Sequence, residues 1–212
     1  MEYLIYDCEI LKCIPQQGIT DTAYDYCNGW HDHKGMGISV VGVVNKKGDA
    51  MAYVGQADLS GFERAVNHQE SPIALCGFNS KSFDDNLMKA HGVSVTTDYD
   101  ILDEIRLAAF GSTNWRDTPS GHSYKLGAIG AANGFPKTGT GELAPQLWQQ
   151  GRQQEVIDYC LNDVQITRSI LELGLRGELV DPNTNRFLKL RSLEEVCLRV
   201  SSSPSQNKAN RA

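Results

Sequence analysis

Residues 3–10, Tyr-Leu-Ile-Tyr-Asp-Cys-Glu-Ile, constrain the fold more than any other stretch of the chain. The run is apolar enough to be a central β-strand, yet two carboxylates, Asp7 and Glu9, stand near its end. Successive side chains on a strand point to opposite faces. Asp7 and Glu9 therefore share a face, roughly 6.5 Å apart along the backbone, while Cys8 turns the other way into core. Two like charges side by side on a largely buried strand repel each other and lose hydration. A divalent cation is the compensation this geometry suggests, with further ligands drawn from distant segments.

The rest of the chain reads in order from that strand. Residues 11–35 form a long irregular stretch containing Pro15, Gly18, Asn28, Gly29 and Gly35. Its Trp30-His31-Asp32-His33 has no third ligand nearby, so a solvent-facing loop is expected there rather than a metal pair. Gly37–Val44 and Ala50–Val54 form an antiparallel hairpin around Asn45-Lys-Lys-Gly-Asp49, with Gly48 suited to positive φ. Ser60 and Glu63 make a capping box for a helix over 61–68. Pro72–Cys76 is a short buried strand, followed by helices over 82–90 and 100–110, the latter burying Ile101, Ile105 and Ala108. A polar loop over 111–122 leads to a helix over 124–133. A long helix then runs over 152–175 with Val156, Ile157, Cys160, Leu161, Val164 and Ile170 as its apolar stripe, and stops at Gly177.

These elements place one domain at 1–177, a peripheral extension with a hairpin at 178–200, and a Ser/Pro/Asn/Lys-rich tail at 201–212 expected to be disordered. The length of 212 residues suits a single medium domain. No apolar run approaches the roughly 20 residues that span a bilayer, and the N-terminus lacks the features of a signal peptide. Six cysteines occur without a C-x-x-C pair, which favours reduced thiols and a cytoplasmic location over a zinc site. The net charge of −6 does not advertise a nucleic-acid binder, but it counts a carboxylate metal site without its cations. The Gly134–Gly141 loop is no P-loop, because Pro136 precedes Lys137.

Three short patterns fit together. Asp7-x-Glu9 lies on the first strand, Asn79-x-x-x-Phe83-Asp84 at a helix start just after a strand, and Tyr159-x-x-x-Asp163 on one face of the long helix. Four carboxylates from three distant segments can then converge. Hard cations such as Mg²⁺ and Mn²⁺ prefer oxygen ligands, and two of them about 4 Å apart can clamp an in-line attack on a phosphodiester. A tyrosine hydroxyl beside such a site can orient the attacking water.

In that order, these motifs resemble those of the DEDD superfamily of 3′→5′ exonucleases, in its tyrosine subclass. The histidine subclass would carry His where Asp158 stands. The second motif, together with Ser123–Leu126 and Asp158–Val164, looks most like the proofreading exonuclease domain of family-B DNA polymerases. The resemblance covers roughly residues 1–175 and implies an α/β, ribonuclease H-like fold, a mixed sheet with helices on both faces. It further implies that Asp7, Glu9 and Asp163 bind one Mg²⁺ or Mn²⁺, and that Asp7 and Asp84 serve a second. Tyr159 would position the water, and Asn79 and Phe83 would lie near the terminal nucleotide. Ile10 stands where the family often has a nucleotide-contacting Thr.

The expected activity is release of nucleoside 5′-monophosphates from single-stranded or frayed 3′ ends, DNA ahead of RNA. A separate polymerase or replication protein is the expected partner for a proofreading role. RNA 3′-end trimming is the alternative enzyme reading, and a non-catalytic nucleic-acid- or polymerase-binding module is the third. Lys81, Lys125, Lys137 and Arg152 are candidates to meet the phosphate backbone, with solvated surface an equal account of each. Asp85 reads as a solvated neighbour of Asp84.

Overall fold

The computed structural model describes residues 1–16, 21–68 and 73–202. The first strand, β1 (Glu2–Glu9), is the middle of a five-stranded sheet. On one side it pairs antiparallel with β2 (Val40–Asn45), which turns back into β3 (Ala50–Val54). On the other it pairs parallel with β4 (Ile73–Gly77), and β4 pairs parallel with β5 (Tyr99–Asp100). The order β3-β2-β1-β4-β5, with helices on both faces, is a ribonuclease H-like topology.

The alternation of side chains along the strands sorts the core into two layers. Tyr3 and Ile5 of β1, Val44 of β2 and Ala74 and Cys76 of β4 face one way. There they meet α4 (Ile101–Phe110), α5 (Leu126–Ala132), α7 (Gln153–Arg176) and α8 (Leu193–Ser202). Tyr6, Cys8 and Ile10 face the other way with Val41, Val43 and Leu75. They pack on α1 (His33–Met36), α2 (Gly55–Asn67) and α3 (Asp84–Ala90). Asp7 and Glu9 thus point toward α7, and Cys8 lies in the opposite apolar layer, as the strand's period of two requires. All six cysteines are free thiols. Among the described residues no helix is long and apolar enough to cross a membrane.

Several boundaries differ from the sequence expectation for identifiable reasons. Helix α2 begins at Gly55 rather than 61, so Ser60 is interior and caps nothing. The Asp58 carboxylate accepts the Val54 N–H at 3.0 Å instead, and Glu63 is drawn away to the Ser94 N–H at 2.7 Å. In α4 the buried place expected for Ala108 goes to Leu102, and Asp100 caps the helix by accepting from Leu102 and Asp103. A short helix, α6 (Ala144–Gln149), precedes α7.

The chain after Gly177 joins the main core. The expected hairpin is present as β6 (Leu179–Val180) paired with β7 (Phe187–Leu188). Leu179, Leu188, Leu190, Leu193 and Val196 are all buried with α7 and β5. Arg191 grips buried Glu104 of α4 with two hydrogen bonds, and its carbonyl accepts the Tyr99 hydroxyl at 2.7 Å. Residues 201 and 202 close α8. They were expected in the disordered tail at 201–212, whose remainder, 203–212, lies outside the described residues, as does Pro72.

Candidate functional site

Three elements deliver acids to the end of β1. The first is β1 itself, where Glu9 is buried and Asp7 half-buried. The second is the turn after β4. Gly77 leaves the strand so tightly that a Cβ there would fall 1.7 Å from Ser80 Oγ, and Asn79 follows in the left-handed region at φ 65°. The buried Asp100 carboxylate fixes this turn by accepting the N–H groups of Asn79 and Lys81 at 3.0 and 3.1 Å. Phe83 then ends the turn and Asp84 starts α3. The pairing of β1 with β4 ends at Ile5 and Cys76, so the Cys8 N–H lies beyond it. That N–H donates to Asp84 Oδ1 at 3.1 Å, which ties that carboxylate to the end of β1.

The third element is α7. Gly42 lies opposite Asp7 on β2, and its missing side chain lets the helix approach closely. A Cβ at Gly42 would stand 2.8 Å from Cys160 Sγ. Cys160 in turn rests on Asp7, its thiol 3.6 Å from the Asp7 carbonyl oxygen. One residue before it and three after, Tyr159 and Asp163 are buried on the same flank. The ligand atoms of Asp7, Glu9 and Cys160 lie within 4.8 Å of one another.

The loop before α6 closes over this group. A Cβ at Gly139 would touch the Tyr159 ring at 3.3 Å. Lys137 reaches Asp163 Oδ2 at 2.5 Å, with its ammonium 5.0 Å from the centre of the Tyr159 ring. Asp163 Oδ1 and Tyr159 Oη are buried without a partner at hydrogen-bond geometry among the described residues.

The electrostatics follow from the crowding. Burial pushes the Asp7 carboxyl well up, and the charges of Asp84 and Asp163 add to it. Glu9 is raised by burial and then by Asp7 and Asp163. Burial takes Asp84 up to about 7, against the opposing hydrogen bond from Cys8. Burial raises Asp163 too, and Lys137 counteracts it. Burial and the adjacent carboxylates hold Tyr159 as a neutral phenol and Cys160 as a neutral thiol. The cluster therefore offers hard oxygen donors with one ammonium beside them. Carboxylate oxygens, including the unsatisfied one of Asp163, fit a hard divalent cation, whereas a neutral thiol does not.

That crowding has a measurable consequence in EDTA. The folded carboxyls retain protons that the unfolded chain has released. The stability they contribute is complete below about pH 4 and is lost as pH rises through the folded values, about 7 for Asp84. Thermal melts in EDTA should therefore give a lower Tm at pH 8 than at pH 5. At pH 8, Asp7→Asn should raise that Tm by several degrees, because it removes a buried charge from among like charges. An unchanged or lower Tm for the variant would show that the acids are not in conflict.

The structure brings Asp7, Glu9, Asp84, Tyr159 and Asp163 together. Asn79 and Phe83 sit on the turn leading into Asp84. Ile10 does not join them: it is buried beside Met36 and Ile38 on the face opposite the acids. Lys81 is exposed, with its backbone tied to Asp100. Arg152 is spent on Glu155 at 2.6 Å, Lys125 stands in solvent, and of these four cations only Lys137 enters the site. Asp85 is not a solvated neighbour. It accepts from the Tyr6 hydroxyl at 2.5 Å and from the Thr97 hydroxyl at 2.7 Å, locking α3 to the apolar face of the sheet. Sequence reasoning missed the Cys160 contact with Asp7 and the pairing of Lys137 with Asp163. The one signal for Lys137 was its place in the Gly/Thr/Lys loop at 134–141, before α6.

No family model matches the chain, and no curated protein matches it. Among solved structures it is similar to the family B DNA polymerase of the hyperthermophilic archaeon Pyrobaculum calidifontis. The TM-score is 0.55 at 15% sequence identity, over 92% of this chain and 27% of that one. At that identity the likeness is one of fold. The chain spans about a quarter of the polymerase's length. The fold and the buried acidic cluster together are consistent with a metal-binding hydrolytic site.

Proposed function

We propose that this chain is a metal-dependent 3′→5′ exonuclease that acts on single-stranded or frayed 3′ ends, DNA ahead of RNA, and releases nucleoside 5′-monophosphates. The observation that carries the reading is the meeting of Asp7, Glu9, Asp84 and Asp163 with Tyr159 at the end of one central strand. Asp7, Glu9 and Asp163 would hold one Mg²⁺ or Mn²⁺, and Asp7 with Asp84 the second. Bound there, such ions supply a water of lowered pKa and charge to stabilise the leaving 3′-oxygen.

The chain's own groups do the remainder. Tyr159, held neutral by burial, orients the attacking water through its hydroxyl, which lies beside Asp163. Lys137 opposes the upward pull of burial on Asp163 and places positive charge where the scissile phosphate would arrive. Asn79 and Phe83, on the turn before Asp84, border the terminal nucleotide. The burial of the acids excludes bulk water and strengthens each of these interactions.

The test is a 5′-labelled oligonucleotide incubated with Mg²⁺, with Mn²⁺ and with EDTA, as DNA and as matched RNA. A stepwise ladder that needs metal and is stronger on DNA is the expected result. A stronger ladder on RNA would reassign the substrate, and intact oligonucleotide in every lane would sink the exonuclease reading.

A further inference from the structure

The loop between β1 and β2 is well built, yet it leaves a tryptophan in water. Its two ends are tied to the strand just beyond Glu9. Leu11 and Lys12 donate to the Met36 carbonyl at 3.2 and 3.0 Å, and Ser39 donates to the Glu9 carbonyl at 2.8 Å. Farther out, the Cys13 N–H donates to the Asp25 carbonyl at 2.9 Å, and the Cys13 carbonyl accepts the Cys27 N–H at 3.0 Å. Asp32 then saturates the tip. One carboxylate oxygen accepts the Asn28 backbone and side-chain N–H groups at 2.8 and 2.9 Å, and the other accepts the Gly35 N–H at 2.9 Å.

Trp30 is held at this tip, 64% exposed. Its ring meets the Phe83 ring edge-on, with centroids 6.4 Å apart at 68°, and His33 meets the same ring at 6.1 Å and 62°. Phe83 immediately precedes Asp84 in the chain, and its ring packs on the apolar layer of the sheet's other face. A large indole kept in water by a hydrogen-bonded loop forgoes most of its burial free energy, about 25 cal/mol per Å². The same loop carries the exposed lysines Lys12 and Lys34 together with the aspartates Asp21, Asp25 and Asp32.

We propose that Trp30, braced by Phe83, is a stacking platform for a base of the strand whose 3′ end enters the acidic site, an inference that rests on the nuclease reading. Every base has a π face, so the platform is sequence-tolerant and indifferent to the sugar, and stacking of this kind contributes about 1–3 kcal/mol per base.

Two measurements test it. Trp30→Ala should raise KM for a single-stranded oligonucleotide about 5- to 150-fold, the range that stacking energy corresponds to, with kcat changed little and KM restored by Trp30→Phe. The second uses protein carrying Trp115→Phe and Trp148→Phe, which leaves Trp30 as the one indole. In EDTA, its emission should be quenched by short oligo-dT and oligo-U in a saturable way. Absence of quenching by either polymer overturns the proposal, as does an unchanged KM in Trp30→Ala. Quenching without hydrolysis by the wild-type protein would leave the platform standing and remove the exonuclease reading instead. If Trp30→Ala abolishes binding to another protein but not to oligonucleotide, the surface belongs to a protein partner and the proposal fails.

Discussion

Asp7→Ala is expected to degrade a 5′-labelled oligonucleotide at least about 10³-fold more slowly than the wild type, equivalent to roughly 4 kcal/mol of transition-state stabilisation. Asp7 is the one acid that the proposed mechanism assigns to both cations, and it sits where the influence of Asp84 and Asp163 converges. Losing it removes charge from both ion positions at once, whereas the other acids each serve one. The fold should survive, because the Asp7 side chain carries no hydrogen bond that closes the sheet; its backbone does that work opposite Gly42. Calorimetric titration with Mn²⁺ should show the same loss. Equal degradation by variant and wild type would remove the chain from this class of nuclease. If wild-type protein binds Mn²⁺ but does not cleave, the site is a metal-binding module without turnover.

Gly42→Ala should damage stability and the site together. The added carbon would stand 2.8 Å from Cys160 Sγ and 3.3 Å from the Cys160 carbonyl oxygen, closer than packed atoms tolerate. The 24-residue α7 is stiff, so it yields as a body and carries Tyr159 and Asp163 away from β1. Overpacking of this kind costs about 1–3 kcal/mol of stability, and a displacement near 1 Å at the reacting groups costs about 10²-fold in rate. Denaturant melts and the ladder assay measure the two effects. The double variant Gly42→Ala with Cys160→Ala, which removes the sulfur, should recover most of both. Full activity and stability in Gly42→Ala alone would mean that the close approach of helix and sheet does not set the site.

Much of this arrangement was legible from local pattern. Asp7 and Glu9 announced themselves because an apolar strand has period two, and Tyr159 and Asp163 because a helix brings residues four apart onto one face. Asp84 followed from its position just after a strand and at a helix start. What stayed hidden depends on contacts between distant segments. Nothing near Lys137 in sequence says that its loop folds over α7, and Cys160 looks like any apolar-stripe residue until Gly42 is seen beneath it. Asp85 differs from Asp84 by one position and a turn of about 100° around α3, enough to send it to Tyr6 and Thr97 instead of the acids. The Ser60/Glu63 capping pattern was locally sound but lost to tertiary structure, since α2 starts at Gly55 and Glu63 accepts the Ser94 N–H.

The bond from the Cys8 N–H to Asp84 gives the acids unequal fates under mutational drift. Asp84 completes the hydrogen-bonding of the central strand where β4 has turned away, so a lineage that discarded it would also fray its own sheet. Asp7 closes nothing and, without a cation, lives among like charges. A descendant released from the need to cut nucleic acid would shed Asp7 early and gain stability in doing so, while keeping Asp84 long after its chemistry had lapsed.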